Sequence, residues 1–163
     1  CDAPAFISFG SMPNDDPRAT TAAIDETLRR VGGRAVVAAG WGGIGAGLAR
    51  DGVLVVDGPV NHAALFPRCS VVVHHGGAGT TSQAARAGVP QVVVPHMFDQ
   101  FHWAERVHAL GVASKPLRTR FRARELADAI GHATSLSTRA RALSAQMTKA
   151  GAANAVDVVT ASG

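Results

Sequence analysis

Five short runs, Ala5–Phe9, Ala35–Ala39, Val53–Val56, Val71–His74 and Gln91–Val94, carry Val, Ile and Ala with almost no polar interruption, and Gly, Pro or Asp flank them. A strand with one wet face alternates apolar and polar residues, whereas a strand covered on both faces stays apolar throughout. The runs therefore predict a parallel sheet with helices on both sides. Helical segments are expected between and after them: Pro17–Arg30, with Asp15 or Asp16 as N-cap; a short piece near Ala63; and Thr80–Ala87, closed by Gly88. Beyond Val94 the pattern turns helical, with candidates at Gln100–Leu110, Arg124–Ala133, Thr138–Ala150 and Ala152–Thr160. Leu126 and Ile130 stand four apart, as do Leu143 and Met147, the spacing of a single buried stripe. Together these predict a doubly wound, Rossmann-like α/β domain of about six strands, with any ligand seated beyond the C-terminal ends of the strands.

A chain of 163 residues suits one domain. Apolar residues make up 47% and charged residues 17%, an ordinary globular balance, and no stretch is long enough to span a bilayer, so membrane association is not expected. Sixteen Lys and Arg against twelve Asp and Glu favour anionic ligands without singling out nucleic acid, which is not an expected partner. Neither Cys1 nor Cys69 belongs to a CxxC pair or a disulfide framework, which suits a cytoplasmic setting, and Cys69 reads as a packed residue rather than a nucleophile. The opening residues, CDAPAFISFG, carry neither a starting Met nor a signal sequence and suggest a domain cut from something longer.

One motif misleads. Gly40-Trp41-Gly42-Gly43-Ile44-Gly45 spells GxGxxG after a strand, and Asp57 closes the next strand, as a dinucleotide fingerprint requires. Only Ala46 to Asp51 remain before that strand, whereas the crossover of such a unit needs a helix of about a dozen residues. A flexible glycine loop is the expected structure.

The informative stretch is His74-His75-Gly76-Gly77-Ala78-Gly79-Thr80-Thr81. Successive strand residues point to opposite faces, so only one of the two histidines is expected to face a ligand. Glycines remove Cβ atoms where the backbone turns sharply and approaches something closely. A helix N-terminus follows, whose free N–H groups and positive dipole end favour an anion, and the threonine hydroxyls and an imidazole add donors. This combination makes a cradle for a diphosphate. For either histidine taken alone, packing or capping is the commoner role.

Val73-His74-His75-Gly76-Gly77-Ala78-Gly79-Thr80-Thr81, followed by Ala87-Gly88-Val89-Pro90-Gln91 and by Pro95-His96-Met97-Phe98-Asp99-Gln100, resembles the donor-binding motif of the UDP-dependent glycosyltransferases. The continuation Phe101-His102-Trp103-Ala104-Glu105-Arg106-Val107 is most similar to sterol and bacterial natural-product members. The likeness is dense from Val60 to Val112, with weaker support from Phe9-Gly10-Ser11-Met12 and Gly40-Trp41. It implies one half of a GT-B fold, the nucleotide-sugar-binding C-terminal domain, spanning 1–163, with the N-terminal acceptor domain not included. It also implies that His75 binds the diphosphate, helped by Gly77, Gly79 and Thr80, and that Asp99 and Gln100 hold sugar hydroxyls. Val60 and Asn61, followed by His62, match the segment that receives the base. Gln83 stands where relatives often have a Glu for the ribose, so a charged contact there is replaced by an amide. Trp41 is a candidate to line the cleft and Ser11 to touch a phosphate, although packing and a simple turn serve those residues equally well.

The implied function is the donor-binding part of an inverting, metal-independent glycosyltransferase that moves a hexose from a UDP- or dTDP-sugar to a small lipophilic acceptor hydroxyl. No cofactor beyond the nucleotide-sugar substrate is expected, no DxD motif is present, and the general base is expected in the acceptor domain, leaving no catalytic residue and little turnover in this chain alone. Two alternatives stay open: a stand-alone donor-binding subunit served by a separate acceptor-binding partner, and a UDP-sugar epimerase or lipid-intermediate glycosyltransferase of the same fold. Arg118, Arg120, Arg122 and Arg124 read as a solvated loop leading into a helix rather than a nucleic-acid or lipid rim.

Overall fold

The structure is a computed structural model that describes residues 3–12 and 14–147. Five strands, β1 (Ala5–Ser8), β2 (Ala35–Ala38), β3 (Val53–Val56), β4 (Val71–His74) and β5 (Gln91–Val93), form one all-parallel sheet in the order β3-β2-β1-β4-β5. The sequence suggests about six strands. Beyond β5 the chain makes only a single parallel bridge, Gln91 to Ala113, and no further strand forms among the described residues.

Both sheet faces are covered, as the unbroken apolar runs require. Ile7, Val37, Val73 and Val92 point to one side, where they pack with Ile24 and Leu28 of helix α1 (Pro17–Val31) and Leu126 and Ile130 of α5 (Ala123–Ser135). Phe6 and Val72, one residue out of phase, point to the other side and meet Phe66, Ala84 and Val89. Each fully buried side chain of this kind contributes about 1.5–3 kcal/mol relative to exposure. Edge strand β3 is the exception: it is only half-buried and Leu54 is exposed, whereas β5 at the opposite edge is fully buried.

The helices begin where the chain supplies partners for free N–H groups. Asp16, not Asp15, caps α1, with Oδ1 accepting the Ala19 N–H at 2.9 Å and Pro17 in the first turn. Arg122 and Glu125 start α5, the Glu125 carboxylate accepting the Arg122 N–H at 2.7 Å. The short segment near Ala63 is α2 (His62–Leu65), continued by a 3₁₀ turn at Phe66–Arg68. Helix α3 spans Ala78–Arg86, α4 Gln100–Ala109 and α6 Ser137–Gln146, while the segment expected at Ala152–Thr160 lies outside the described residues.

The GxGxxG stretch folds as a succession of turns over 41–47, with no helix before β3. Thr21 of α1 anchors it by accepting the Gly45 N–H at 2.9 Å. The dinucleotide reading is excluded by the missing helix, as the spacing predicts. The four arginines lie exposed in the loop and first turn around 118–124, where Arg120 pairs with Asp15 at 3.8 Å and Arg124 with Asp128 at 3.8 Å. Cys69 is buried, its thiol directed at the Leu65 carbonyl (3.4 Å) and pushed up to about 11 by burial, which fits packing and not nucleophilic chemistry. Among the described residues no helix is long and apolar enough to cross a membrane.

Candidate functional site

The two histidines at the end of β4 part company as strand alternation demands. His74 is fully buried. Its Nδ1 accepts the Gly76 N–H at 3.0 Å, which leaves the proton on Nε2 to be donated to Gln91 Oε1 at 2.8 Å. That chain of bonds also fixes the Gln91 amide, because a flipped amide would ask His74 to accept at both nitrogens. Burial lowers the His74 pKa to about 4, so it stays neutral and acts as a clamp between β4, β5 and the glycine turn. Gly76, at φ +92°, leaves no room for a side chain: a Cβ there would sit 2.8 Å from Val93 Cγ1 and 3.1 Å from the Gln100 carbonyl.

His75 turns the other way, into a cleft of about 310 Å³ at the C-terminal ends of β1, β2 and β4. Phe6, Ser8, Gly10, Val60, His62 and Thr80 are among the residues that line it. The ring's Nδ1 is buried without a hydrogen-bond partner among the described residues, so Nε2 is the nitrogen left to meet a ligand. The His75 pKa is lowered, first by burial and then by neighbouring His96, with Asp99 pulling the other way. A cation would bury an unpaired N–H at Nδ1, so the arrangement favours a neutral imidazole carrying its proton on Nε2.

Helix α3 opens directly beneath. Its N-cap is Gly77, no side chain caps it, and the first intrahelical bond runs from the Thr81 N–H to the Gly77 carbonyl at 3.0 Å. The preceding N–H groups, those of Ala78, Gly79 and Thr80, therefore have no acceptor within the helix, and they add to the positive end of its dipole. A Cβ on Gly77 would lie 2.6 Å from His75 Nε2, whereas one on Gly79 would meet nothing within 4 Å. Gly77 is bare for the imidazole, and Gly79 is bare towards open space. Thr80 lines the cleft, while Thr81 is buried and returns its hydroxyl to the Gly77 carbonyl at 2.9 Å.

The other expected residues divide. Val60 lines the cleft, and Asn61 beside it caps α2, Oδ1 accepting the Ala64 N–H at 3.2 Å. Ser11 is exposed in the turn after β1, and it is Ser8, accepting the Gly10 N–H at 3.2 Å, that lines the cleft. Trp41 donates its backbone N–H to Gly10 at 3.1 Å, but its side chain is 87% exposed and outside the cleft wall. Gln83 is exposed further along α3, also away from the wall.

Asp99 and Gln100 sit at the end of β5. Asp99 is exposed and accepts the Trp103 indole N–H on Oδ2 at 3.0 Å. Gln100 is buried: Oε1 accepts the N–H groups of His96 (2.8 Å) and Met97 (3.1 Å), and Nε2 points at Met12 Sδ (3.1 Å). Sequence reasoning used Gly10 and Gly40 only as weaker support for the resemblance and did not place them in the cleft, which both line. A Cβ on Gly40, at φ +58°, would lie 2.1 Å from the Gly10 carbonyl, so the first glycine of the false dinucleotide motif lets the ends of β1 and β2 close together. His62, stacked on Phe66 (4.6 Å, 14°), adds an aromatic wall that the sequence did not flag as such.

An all-parallel sheet in the order β3-β2-β1-β4-β5, with a cleft at its C-terminal edge beside the start of the helix that follows β4, is the architecture of a GT-B glycosyltransferase domain. The chain belongs to the family of the erythromycin biosynthesis protein CIII-like C-terminal domain, whose model matches residues 44–160. It is 46% identical over 117 residues to sterol 3-beta-glucosyltransferase UGT80B1 of Arabidopsis thaliana, covering 70% of this chain and 19% of that protein. It is also 46% identical over 112 residues to the vancomycin aglycone glucosyltransferase of Amycolatopsis orientalis, covering 67% of this chain and 26% of that one. The calicheamicin glycosyltransferase CalG4 shares the fold, with a TM-score of 0.77 over 98% of this chain and 43% of that chain at 24% identity. The chain thus spans only a fifth to a quarter of these two curated relatives.

Proposed function

We propose that this domain binds the nucleotide sugar of an inverting, metal-independent glycosyltransferase, one that passes a hexose from UDP or dTDP to the hydroxyl of a small lipophilic acceptor. The carrying observation is that His75, with Nε2 as its free nitrogen, and Thr80 in the uncapped first turn of α3 line one cleft, with the bare backbone of Gly79 next to Thr80 open to solvent. The α- and β-phosphates receive the N–H groups of Gly79 and Thr80 and the imidazole proton, while the nucleobase lies along Val60 and Asn61. As the glycosidic bond to the diphosphate breaks, these fixed donors face the charge that develops on the leaving oxygen and need no reorganisation. Asp99 takes sugar hydroxyls, with Gln100 holding its turn and keeping one amide hydrogen for the same task. Ser11 and Trp41, in the loops after β1 and β2, and Gln83, on α3, approach the nucleotide from outside the cleft wall. An acceptor domain, in the same polypeptide or on a partner subunit, supplies the general base, and a cytoplasmic setting suits the unpaired Cys69.

Titration calorimetry with UDP, dTDP and GDP in the presence of EDTA tests this. UDP or dTDP is expected to bind, and His75→Ala to weaken it by ~1.5–3 kcal/mol, the range for a hydrogen bond to a charged group. An affinity untouched by the substitution removes His75 from the site.

A further inference from the structure

Phe98 is the one residue other than glycine with a positive φ among the described residues, at +51°. A bulky side chain is an outlier in that region, which glycine, asparagine and aspartate enter with far less strain. Packing does not explain why phenylalanine is there, since the side chain is 87% exposed. The turn beneath it is held firmly: the buried Gln100 accepts two backbone N–H groups, from His96 and Met97, and Asp99 is tied to the Trp103 indole. A strained backbone that presents a bare ring on a clamped turn points to a function.

The neighbours say what that function serves. Asp99 Oδ1 makes no hydrogen bond among the described residues, Oδ2 alone being engaged by Trp103. The turn that carries Phe98 and Asp99 also abuts the glycine turn after His75, the Gln100 carbonyl lying 3.1 Å from where a Cβ of Gly76 would be. A group joined to a diphosphate at His75 would therefore extend towards the turn that carries these two residues. A pyranose with equatorial hydroxyls presents two chemistries, hydroxyls around its edge and C–H bonds on its faces. A carboxylate accepts the first, and the negative face of an aromatic ring attracts the second.

We propose that Phe98 is a specificity-determining platform for the C–H face of the donor's hexose, with Asp99 taking hydroxyls at its edge. This assignment rests on the donor-site function proposed above. The test is calorimetry on the 163-residue chain with UDP and with UDP-glucose, for the parent and for Phe98→Gly, Phe98→Asn and Phe98→Trp. Glycine and asparagine both suit the positive φ, so folding is preserved and the thermal midpoint is expected to hold or rise. UDP affinity should stay within about twofold in all variants. UDP-glucose should weaken at least about fivefold with Gly and Asn and be retained with Trp. UDP-glucose binding that Phe98→Gly leaves unchanged overturns the platform while the donor site stands. Equal losses for UDP and UDP-glucose also overturn it, because the effect would then come from the turn and not the sugar. Failure of UDP to bind the parent chain overturns the donor site and the platform with it.

Discussion

Gly77→Ala is the most incisive single change, because the backbone tolerates it and the imidazole does not. At φ −60° and ψ 139° Gly77 is in a conformation open to any residue. The added methyl, however, would lie 2.6 Å from His75 Nε2. That is roughly 1 Å inside the ~3.5 Å at which non-bonded heavy atoms sit comfortably, so the ring has to move by about that much. The far side of the ring faces Gly10, where a Cβ would lie 3.0 Å from Cε1, so the ring can retreat only because that residue too is bare. If His75 binds the diphosphate as proposed, a displacement of this size takes the Nε2 proton out of hydrogen-bonding range, an expected loss of ~1.5–3 kcal/mol, or roughly 10- to 150-fold in UDP affinity. Helix α3 exchanges one weak N-cap for another, at a cost of about 0.5–1 kcal/mol and a few degrees in thermal midpoint. Calorimetry on Gly77→Ala, His75→Ala and the double variant completes the test. If the methyl acts through the ring, the double variant binds UDP no worse than His75→Ala alone. Wild-type affinity in Gly77→Ala, or losses that add in the double variant, would refute the reasoning.

Gly79→Ala probes the same helix start from its open side: nothing protein-borne stands within 4 Å of the new methyl, and alanine suits a helix better than glycine by up to about 1 kcal/mol, so thermal stability should rise. UDP affinity should nevertheless fall by about tenfold or more if the diphosphate occupies that space, and a variant that gains stability without losing UDP would place the ligand elsewhere. A third measurement concerns acid. The folded-state pKa of His74, about 4, lies below the ordinary 6.5, so between those values the unfolded chain binds more protons. Stability is therefore complete above pH 6.5 and declines as pH falls towards 4, by on the order of 3 kcal/mol from this group. His62, His75 and His96, all lowered chiefly by burial, act in the same direction. Urea unfolding at pH 7 and pH 5 should show the decline, with a shallower one in His74→Gln; equal slopes in the two proteins would contradict the buried neutral clamp.

The sheet was legible because its signal is one of composition along a strand. A run such as Val71-Val72-Val73 has no alternation to be misread, and each of the five strands appears where such a run stands. Helix starts were nearly as clear, since Asp16-Pro17 carries its own capping chemistry, and the false dinucleotide motif could be discarded by counting residues to the next strand. Two things were hidden. Gly10 and Gly40 are far apart in sequence, and only the parallel pairing of β1 with β2 shows that one must be bare because the other's carbonyl lies against it. Gln100 likewise is expected from the resemblance to hold sugar hydroxyls beside Asp99, yet it is buried and holds two backbone N–H groups across its own turn. Both depend on where chain segments converge, which local pattern does not encode.

The paired histidines show how one strand end can meet two demands that a single residue cannot. A hydrogen-bond donor to a ligand must stay accessible, whereas the turn that carries it must be closed off and held in place. Strand alternation separates the tasks by one residue. His74, inside, locks Gly76 and Gln91 through a neutral ring whose tautomer is set by the Gly76 N–H. His75, outside, faces the cleft with one accessible nitrogen. Because burial and the unpaired Nδ1 favour a neutral ring, the hydrogen bond proposed to phosphate would not depend on prior protonation, and the donor would survive at pH values above the imidazole's own pKa. The arriving charge would itself raise that pKa, so protonation can strengthen the bond once the ligand is bound without being needed for the ligand to bind.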